Sequence, residues 1–210
     1  MKIGSAITFD SAERQYNEAR NAPSSTCFEL PPVEVNKVLK ERYRVSPERT
    51  LTRAVIWYME TKKAWDPLTY IPYVVSQARS WGRTALPDGA TRFCRSSLQR
   101  GWITPQEGLV LEEVFVSDAK QTIYFLGRPR MVEETGKALV ASPFQPLFHV
   151  RHAVSGSEQA PLNLWSIVLL TDAPDPRYCE PFEQMARSGL LPGFIEIYIE
   201  RDLELKLSRF

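Results

Sequence analysis

The sequence has few of the residues on which several classes of protein depend. Its 210 residues include only three cysteines, Cys27, Cys94 and Cys179, and two histidines. The cysteines are far apart, so they predict neither a disulfide framework nor a paired metal half-site. No run approaches the roughly 18 apolar residues of a membrane span, and charged residues interrupt the start before a signal core can form. We therefore expect a cytoplasmic protein without a membrane segment.

The sequence also has no marked excess of positive or negative charge. Twenty-six Lys and Arg stand against 25 Asp and Glu, a net charge of +1. Any attraction to phosphate would therefore have to come from local clustering. The chain is 43% hydrophobic and 24% charged, which is typical of a globular protein with one large or two small domains.

Motifs for catalysis or cofactor binding are missing as well. The sequence has no phosphate-binding Walker loop, no GxGxxG and no nucleophile motif beside a histidine. Glu112 and Glu113 are adjacent, and neighbouring carboxylates point apart on a strand, which argues against a general acid/base pair. His149 and His152 would face opposite sides of a strand, which argues against a metal site. We expect no enzyme, no catalytic residues, no cofactor and no metal.

The positions of the prolines and the spacing of the apolar residues divide the chain into three segments. Residues 1–32 are predicted to be an N-terminal arm and linker, because prolines bound the stretch 23–32. Residues 33–142 are predicted to form a helical domain. Residues 143–210 are predicted to form an α+β C-terminal unit with one helix near 178–188.

In the last run, from Ile195 to Leu207, apolar residues take the odd positions, which predicts a strand with one dry face. Arg201 and Asp202 interrupt this run, and they fit a hairpin tip or a bulge equally well. The expected fold class is α+β, with a helical, winged-helix-like N-terminal and middle region followed by a smaller antiparallel sheet unit.

Apolar spacing in the middle segment predicts several elements in order. Three- and four-residue periods predict helices over 33–44, from Ser46 to about 60, over 69–82, over 90–101 and over 131–139. Runs of β-branched and aromatic residues over 109–116 and 122–126 predict a hairpin.

A basic window lies in this segment. Between Pro67 and Pro105 there are five arginines, Arg79, Arg83, Arg92, Arg95 and Arg100, and a single acid, Asp88. On a helix, Arg92, Arg95 and Gln99 would share one face, with Ser96 beside them. Such a face can enter a major groove and contact base edges. A solvated polar helix face explains the same pattern, so both interpretations stay open.

The order of these elements resembles winged-helix transcription regulators over residues 46–140. SLQRGWIT is similar to the end of their recognition helix, and TIYFLGRPRMVEETGKALV is similar to their second wing strand and closing helix. The resemblance implies a non-enzymatic nucleic-acid-binding protein, with DNA favoured over RNA. Arg92, Arg95, Ser96 and Gln99 would contact bases. Phosphates would be held by Arg79, Arg83, Arg100, Lys120 and Arg128, and the C-terminal unit would mediate dimerisation or partner contact.

A second hypothesis is an interaction subunit. The near-zero net charge, the aromatic residues concentrated over 57–102 and a regular C-terminal strand edge also suit an adaptor or inhibitor. Its partner would be a larger nucleoprotein complex, such as an RNA-guided CRISPR-type assembly, and its origin a phage or mobile element.

Overall fold

The computed structural model describes residues 7–210; residues 1–6, at the start of the predicted arm, lie outside the described part. The helices are α1 (Phe9–Asn21), α2 (Val35–Arg42), α3 (Arg53–Trp65), α4 (Pro67–Tyr70), α5 (Glu180–Ser188) and α6 (Gly193–Arg201). The strands are β1 (Thr26–Glu29), β2 (Val33–Glu34), β3 (Tyr43–Ser46), β4 (Val75–Ala85), β5 (Thr91–Arg100), β6 (Glu107–Ser117), β7 (Thr122–Gly127), β8 (Arg130–Val132), β9 (Ala138–Val140), β10 (Phe148–Gly156), β11 (Pro161–Leu169) and β12 (Lys206–Arg209).

One antiparallel sheet dominates the structure. Within residues 7–210 it has eight strands in the order β1-β11-β10-β7-β6-β5-β4, and β2 pairs with the end of β11. The sheet takes strands from all three predicted segments, and the predicted boundary at residue 142 lies between the paired strands β7 and β10. The predicted fold class, a helical winged-helix-like domain followed by a smaller sheet, is therefore wrong.

The two faces of the sheet pack against different elements. Strand side chains alternate between the faces, so Val114 of β6 joins a core with α2, α3 and α6, whereas its neighbour Phe115 packs against α1. We call these the core face and the α1 face. On the α1 face, Phe9 and Tyr16 of α1 stack against Tyr124 at ring-centroid distances of 5.3 and 5.2 Å.

The winged-helix resemblance fails at the predicted recognition helix. Residues 91–100 form β5, a strand between β4 and β6. The helical spacing of Arg92, Arg95 and Gln99 was misleading, because β5 places polar side chains on both faces and pairs them with acids of β6. The predicted closing helix over 131–139 is also wrong, since this segment is the β8–β9 hairpin and Gly136 takes a φ of +82° in its turn.

Two further assignments are wrong for a similar reason. The predicted helix over 69–82 is the short α4 followed by β4, which carries two register shifts. The predicted C-terminal strand is mostly α6, because Ile195 and Ile199 fit both periods and packing against α3 and α4 selects the helix. The helices near 33–44 and 178–188 and the hairpin over 109–126 are confirmed as α2, α5 and β6–β7. The helix predicted from Ser46 is present as α3, but its start was wrong, since Ser46 ends β3 and Thr52 caps the helix. In the part of the chain that is described, no helix is long and apolar enough to cross a membrane.

Because α6 is a helix, truncation of its three isoleucines should affect stability unequally. On a strand all three would share one face. Ile195 and Ile199 are fully buried, whereas Ile197 is only partly buried. We expect Ile195→Ala and Ile199→Ala each to lower the free energy of unfolding by about 2–5 kcal/mol, the usual cost of emptying a core site. Ile197→Ala should cost clearly less. Urea unfolding of the three variants is the measurement, and equal losses at all three positions would contradict the helix.

Candidate functional site

A cavity lies on the core face, between the sheet and the helices that cover it. Its volume is about 160 Å³. Most of its lining is apolar and belongs to strands β5, β6, β7, β10 and β11 and to α3, α5, α6 and the segment before β4. The lining residues are Leu30, Lys63, Ile71, Tyr73, Val74, Arg95, Gln99, Trp102, Glu112, Phe125, Phe148, Val150, His152, Trp165, Ile167, Phe182, Met185, Pro192 and Phe194.

Aromatic rings form much of this wall. Trp102 meets Phe148 and Phe182 edge to face, at centroid distances of 4.6 and 5.4 Å. Phe182 also lies 4.8 Å from Trp165. Such contacts fix the rings against one another, so the wall presents both ring edges and ring faces to anything in the cavity.

A buried polar cluster sits at the cavity wall below α3. Lys63 and Glu60 are one turn apart on α3, and Lys63 Nζ lies 2.5 Å from Glu60 Oε2. The same Nζ lies 2.9 Å from His152 Nδ1 on β10 and 3.6 Å from the ring centroid of Phe194. Glu60 is held in turn by Asn163 Nδ2, which donates to Glu60 Oε1 at 2.6 Å.

Burial and charge pairing shift the pKa values of this cluster. Burial lowers the pKa of Lys63 to about 8, although Glu60 opposes the shift. Burial raises the pKa of Glu60, but Lys63 and His152 outweigh it and bring the value down to about 2. Burial, with help from the charge of Lys63, lowers the pKa of His152 to about 4. At neutral pH the cluster is therefore a cation, an anion and a neutral imidazole.

A second ion pair lies beside the first. Arg95 on β5 and Glu112 on β6 face each other across the strand register, and Arg95 Nη2 donates to Glu112 Oε2 at 2.6 Å. The guanidinium also donates to the carbonyl of Ala64 at 3.0 Å and lies 4.6 Å above the ring of Phe125. Both charges are thus compensated inside the protein, as buried charges must be.

The rim of the cavity is formed by lining residues that also reach solvent. Tyr73, which precedes β4, is 52% exposed, and Trp102, Phe182 and Met185 are partly exposed. Phe182 and Met185 belong to α5, a helix with no fully buried residue that ends at Gly189 in the left-handed conformation. The opening therefore lies between α5 and the segment before β4.

The structure separates the four residues predicted to contact bases. Arg95 and Gln99 point to the core face, where they line the cavity, and Gln99 Nε2 donates to Ser97 Oγ at 2.9 Å. Arg92 and Ser96 are on the other face of β5, because odd spacing on a strand reverses the side. Arg92 pairs there with Glu113.

The residues predicted to hold phosphates are also scattered. Arg79 on β4 contacts Glu133 at 3.4 Å and Glu134 at 3.6 Å. Arg83, also on β4, lies 5.6 Å over the ring of Trp65, and Arg100 is exposed at the end of β5.

The other two predicted phosphate contacts are tied to α1 or the sheet. Lys120, in the β6–β7 turn, contacts Asp10 at 3.0 Å and Glu13 at 2.8 Å. Arg128 contacts Glu113 at 2.5 Å. Lys120 and Arg128 are thus used in internal pairing. The five predicted phosphate contacts are distributed over β4, β5, the β6–β7 turn and the segment after β7, so they form no common anion-binding face.

The interpretation as a nucleic-acid-binding protein, with DNA as its partner, is therefore wrong. The adaptor hypothesis fails as well, since the strand edge it needed is α6 and two of the four tryptophans within 57–102, Trp57 and Trp81, are buried. The segment expected to mediate dimerisation or partner contact instead supplies β10 and β11 to the middle of the sheet.

Sequence reasoning missed Glu60, Lys63 and His152. Glu60 and Lys63 lie three residues apart in a helix that was predicted, and they share its buried side with Ile56 and Met59. Charged residues on a buried stripe are a signal for an internal ion pair. His152 gave no such signal, because its partners are 89 and more residues away along the chain.

Comparisons with known proteins give likenesses of fold only. No family model matches the sequence, and no curated protein matches it. The fold is similar to Ara h 8.0201, with 13% identity and a TM-score of 0.47 over 83% of this chain and 95% of that one. It is similar to the Zhui aromatase/cyclase from Streptomyces sp. R1128, with 7% identity and a TM-score of 0.46 over 84% and 95%.

A START superfamily protein from Mycobacterium smegmatis is also similar, with 11% identity and a TM-score of 0.38 over 86% of this chain and 95% of that one. These identities and scores are too low to transfer a ligand or an activity. The site must therefore be interpreted from its own geometry.

The two histidines predict how stability depends on pH. His149, on the α1 face of β10, accepts from the backbone N–H of Gly127, and burial lowers its pKa to about 4, as it does for His152. Between pH 6.5 and 4 the unfolded chain therefore binds more protons than the folded one, so stability is lost as the pH falls. We expect a loss of up to about 1.4 kcal/mol per pH unit for each histidine.

Urea unfolding at a series of pH values measures this loss. A variant with both His149→Asn and His152→Asn should show a flatter profile between pH 6.5 and 5, above the range in which most carboxylates titrate. An unchanged slope in that variant would show that other groups carry the pH dependence.

Proposed function

We propose that the protein binds a small, largely apolar molecule in the core-face cavity. The observation that carries this proposal is the cavity itself, an aromatic-lined space with partly exposed residues at its rim. Ligand sites are typically concave, mostly apolar and equipped with a few polar groups.

The charge balance of the cavity supports an uncharged ligand. Lys63 is paired with Glu60, and Arg95 is paired with Glu112. The two cations that line the cavity are therefore both neutralised, and a charged ligand would enter an apolar space without a free counter-charge. Aromatic rings on several sides further favour a planar ring system, which stacks on their faces or edges.

The same pairing supports a binding protein in preference to an enzyme. A general acid or base works best when its pKa lies near the working pH. The pKa of His152 is lowered to about 4 and that of Glu60 to about 2, so neither group exchanges a proton readily at neutral pH. Lys63, with a pKa of about 8, is the member of the cluster nearest to neutral pH, and its ammonium is held by Glu60 and His152. A cytoplasmic location is part of the proposal, and the free thiols of Cys27, Cys94 and Cys179 support a reducing compartment.

Binding of the neutral fluorescent probe N-phenyl-1-naphthylamine tests the proposal. Val150 lines the cavity on β10, and Val150→Trp would fill part of the space. We expect saturable binding to the wild type and a Kd at least about tenfold weaker in the variant, equal to 1.4 kcal/mol. Fluorescence titration is the measurement.

Val132→Trp is the matched control. Val132 is 61% exposed on β8, away from the cavity, and the substitution adds the same ring without filling the site. Probe binding should stay at the wild-type level in this variant. Absence of binding to the wild type, or equal weakening by both substitutions, would overturn the proposed site.

A further inference from the structure

One of the two ring nitrogens of His152, Nδ1, contacts other side chains. Nδ1 lies 2.9 Å from Lys63 Nζ and 3.1 Å from Glu60 Oε2. A lysine ammonium has only donors, so a proton on Nδ1 would face an N–H of Lys63 at 2.9 Å, and this contact is satisfied only when Nδ1 accepts. A neutral imidazole whose Nδ1 accepts must carry its proton on Nε2. The contact with Lys63 thus fixes the tautomer of His152.

Nε2 lacks a protein partner. Among residues 7–210, the hydrogen-bond and ion contacts of the His152 side chain all involve Nδ1. The rest of the ring is surrounded by Phe125, Trp165 and Phe194, whose centroids lie 5.5 to 6.2 Å from its own. The residue is only 6% exposed and lines the cavity. A donor that borders an apolar cavity without a protein acceptor is costly to leave unpaired, and a ligand oxygen in the cavity would satisfy it.

We infer that the Nε2–H of His152 donates a hydrogen bond to a carbonyl oxygen of the bound molecule, so that the cavity selects neutral aromatic ketones or quinones over the corresponding hydrocarbons. This inference rests on the proposed function. A carbonyl supplies a strong acceptor without a charge, which suits a wall whose own charges are compensated.

The low pKa of His152 supports this role. With its pKa lowered to about 4, the ring stays neutral at physiological pH and keeps a single proton. Lys63 acts as a positioning residue, because it holds Nδ1 and leaves Nε2–H for the ligand. A site built around a buried donor discriminates against an analogue that lacks the acceptor, since the donor is then left unpaired.

Competition between two matched compounds tests the inference. 9-Fluorenone and fluorene share a ring system and differ by a carbonyl in place of a methylene. Transfer from water to an apolar space favours the hydrocarbon, so a preference for the ketone requires a hydrogen bond. In displacement of N-phenyl-1-naphthylamine, we expect fluorenone to bind wild type about tenfold tighter than fluorene.

Two matched variants test whether the Nε2–H of His152 is the group that prefers the ketone. His152→Asn keeps a short amide near the position of Nδ1 and lacks an atom at the position of Nε2, so the ratio of the two Kd values should fall to about one. His149→Asn makes the same change three residues away on the opposite face of β10, and the ratio should stay at its wild-type value. A ratio unchanged in His152→Asn would overturn the inference.

A measurement on the unaltered protein guards against misfolded variants. The carbonyl stretch of bound fluorenone, in the infrared spectrum, should shift to lower frequency than in an apolar solvent. A stretch at the apolar-solvent frequency would overturn the inference even when the compound binds. Equal binding of both compounds to wild type would also overturn it while leaving the proposed function intact, whereas binding of neither would overturn the proposed function.

Discussion

The internal pairing of charges on the core face is the constraint on which the rest of the structure depends. Two cations, Lys63 and Arg95, lie buried against a sheet whose other inward side chains are mainly apolar. Each has an acid within 2.6 Å, supplied by its own helix in one case and by the neighbouring strand in the other. Without these partners the charges would have to reach water, and α3 could not cover the sheet at this point.

The same pairing makes a cavity possible. The charges of the wall are paired within the protein, so they do not need water from the space beside them. The aromatic side chains pack against one another and line that space. The cavity is therefore both apolar enough to attract a hydrophobic molecule and polar enough at one point to orient it. His152 is the polar group at that point of the apolar wall.

The part of the fold that follows from local pattern could be predicted from the sequence. Val55 and Met59 indicate α3, and the runs of β-branched and aromatic residues on either side of residues 117–121 indicate β6 and β7. Elements whose form is decided by distant partners could not be predicted. In β5 the inward positions hold Arg95 and Gln99, so the strand lacks the apolar alternation of a half-buried strand.

The error in the C-terminal run is the opposite one, because a helix was predicted to be a strand. Ile195, Ile197 and Ile199 alternate like a strand, yet Ile195 and Ile199 are also one helical turn apart. Packing against α3 and α4 selects the helix. The site was predictable only in part. Arg95 and Gln99 were recognised as polar residues of interest, but Glu60, Lys63 and His152 come together only where α3 packs on the sheet.

The central claim is that the core face, and not the α1 face, receives an apolar molecule. An NMR titration with naphthalene, which has no polar group, tests this most directly. The account predicts shifts concentrated on Val150, Ile167 and Phe194, with Phe115 and Tyr124 of the α1 face unchanged. Shifts spread over both faces, or no saturable shifts at all, would contradict it.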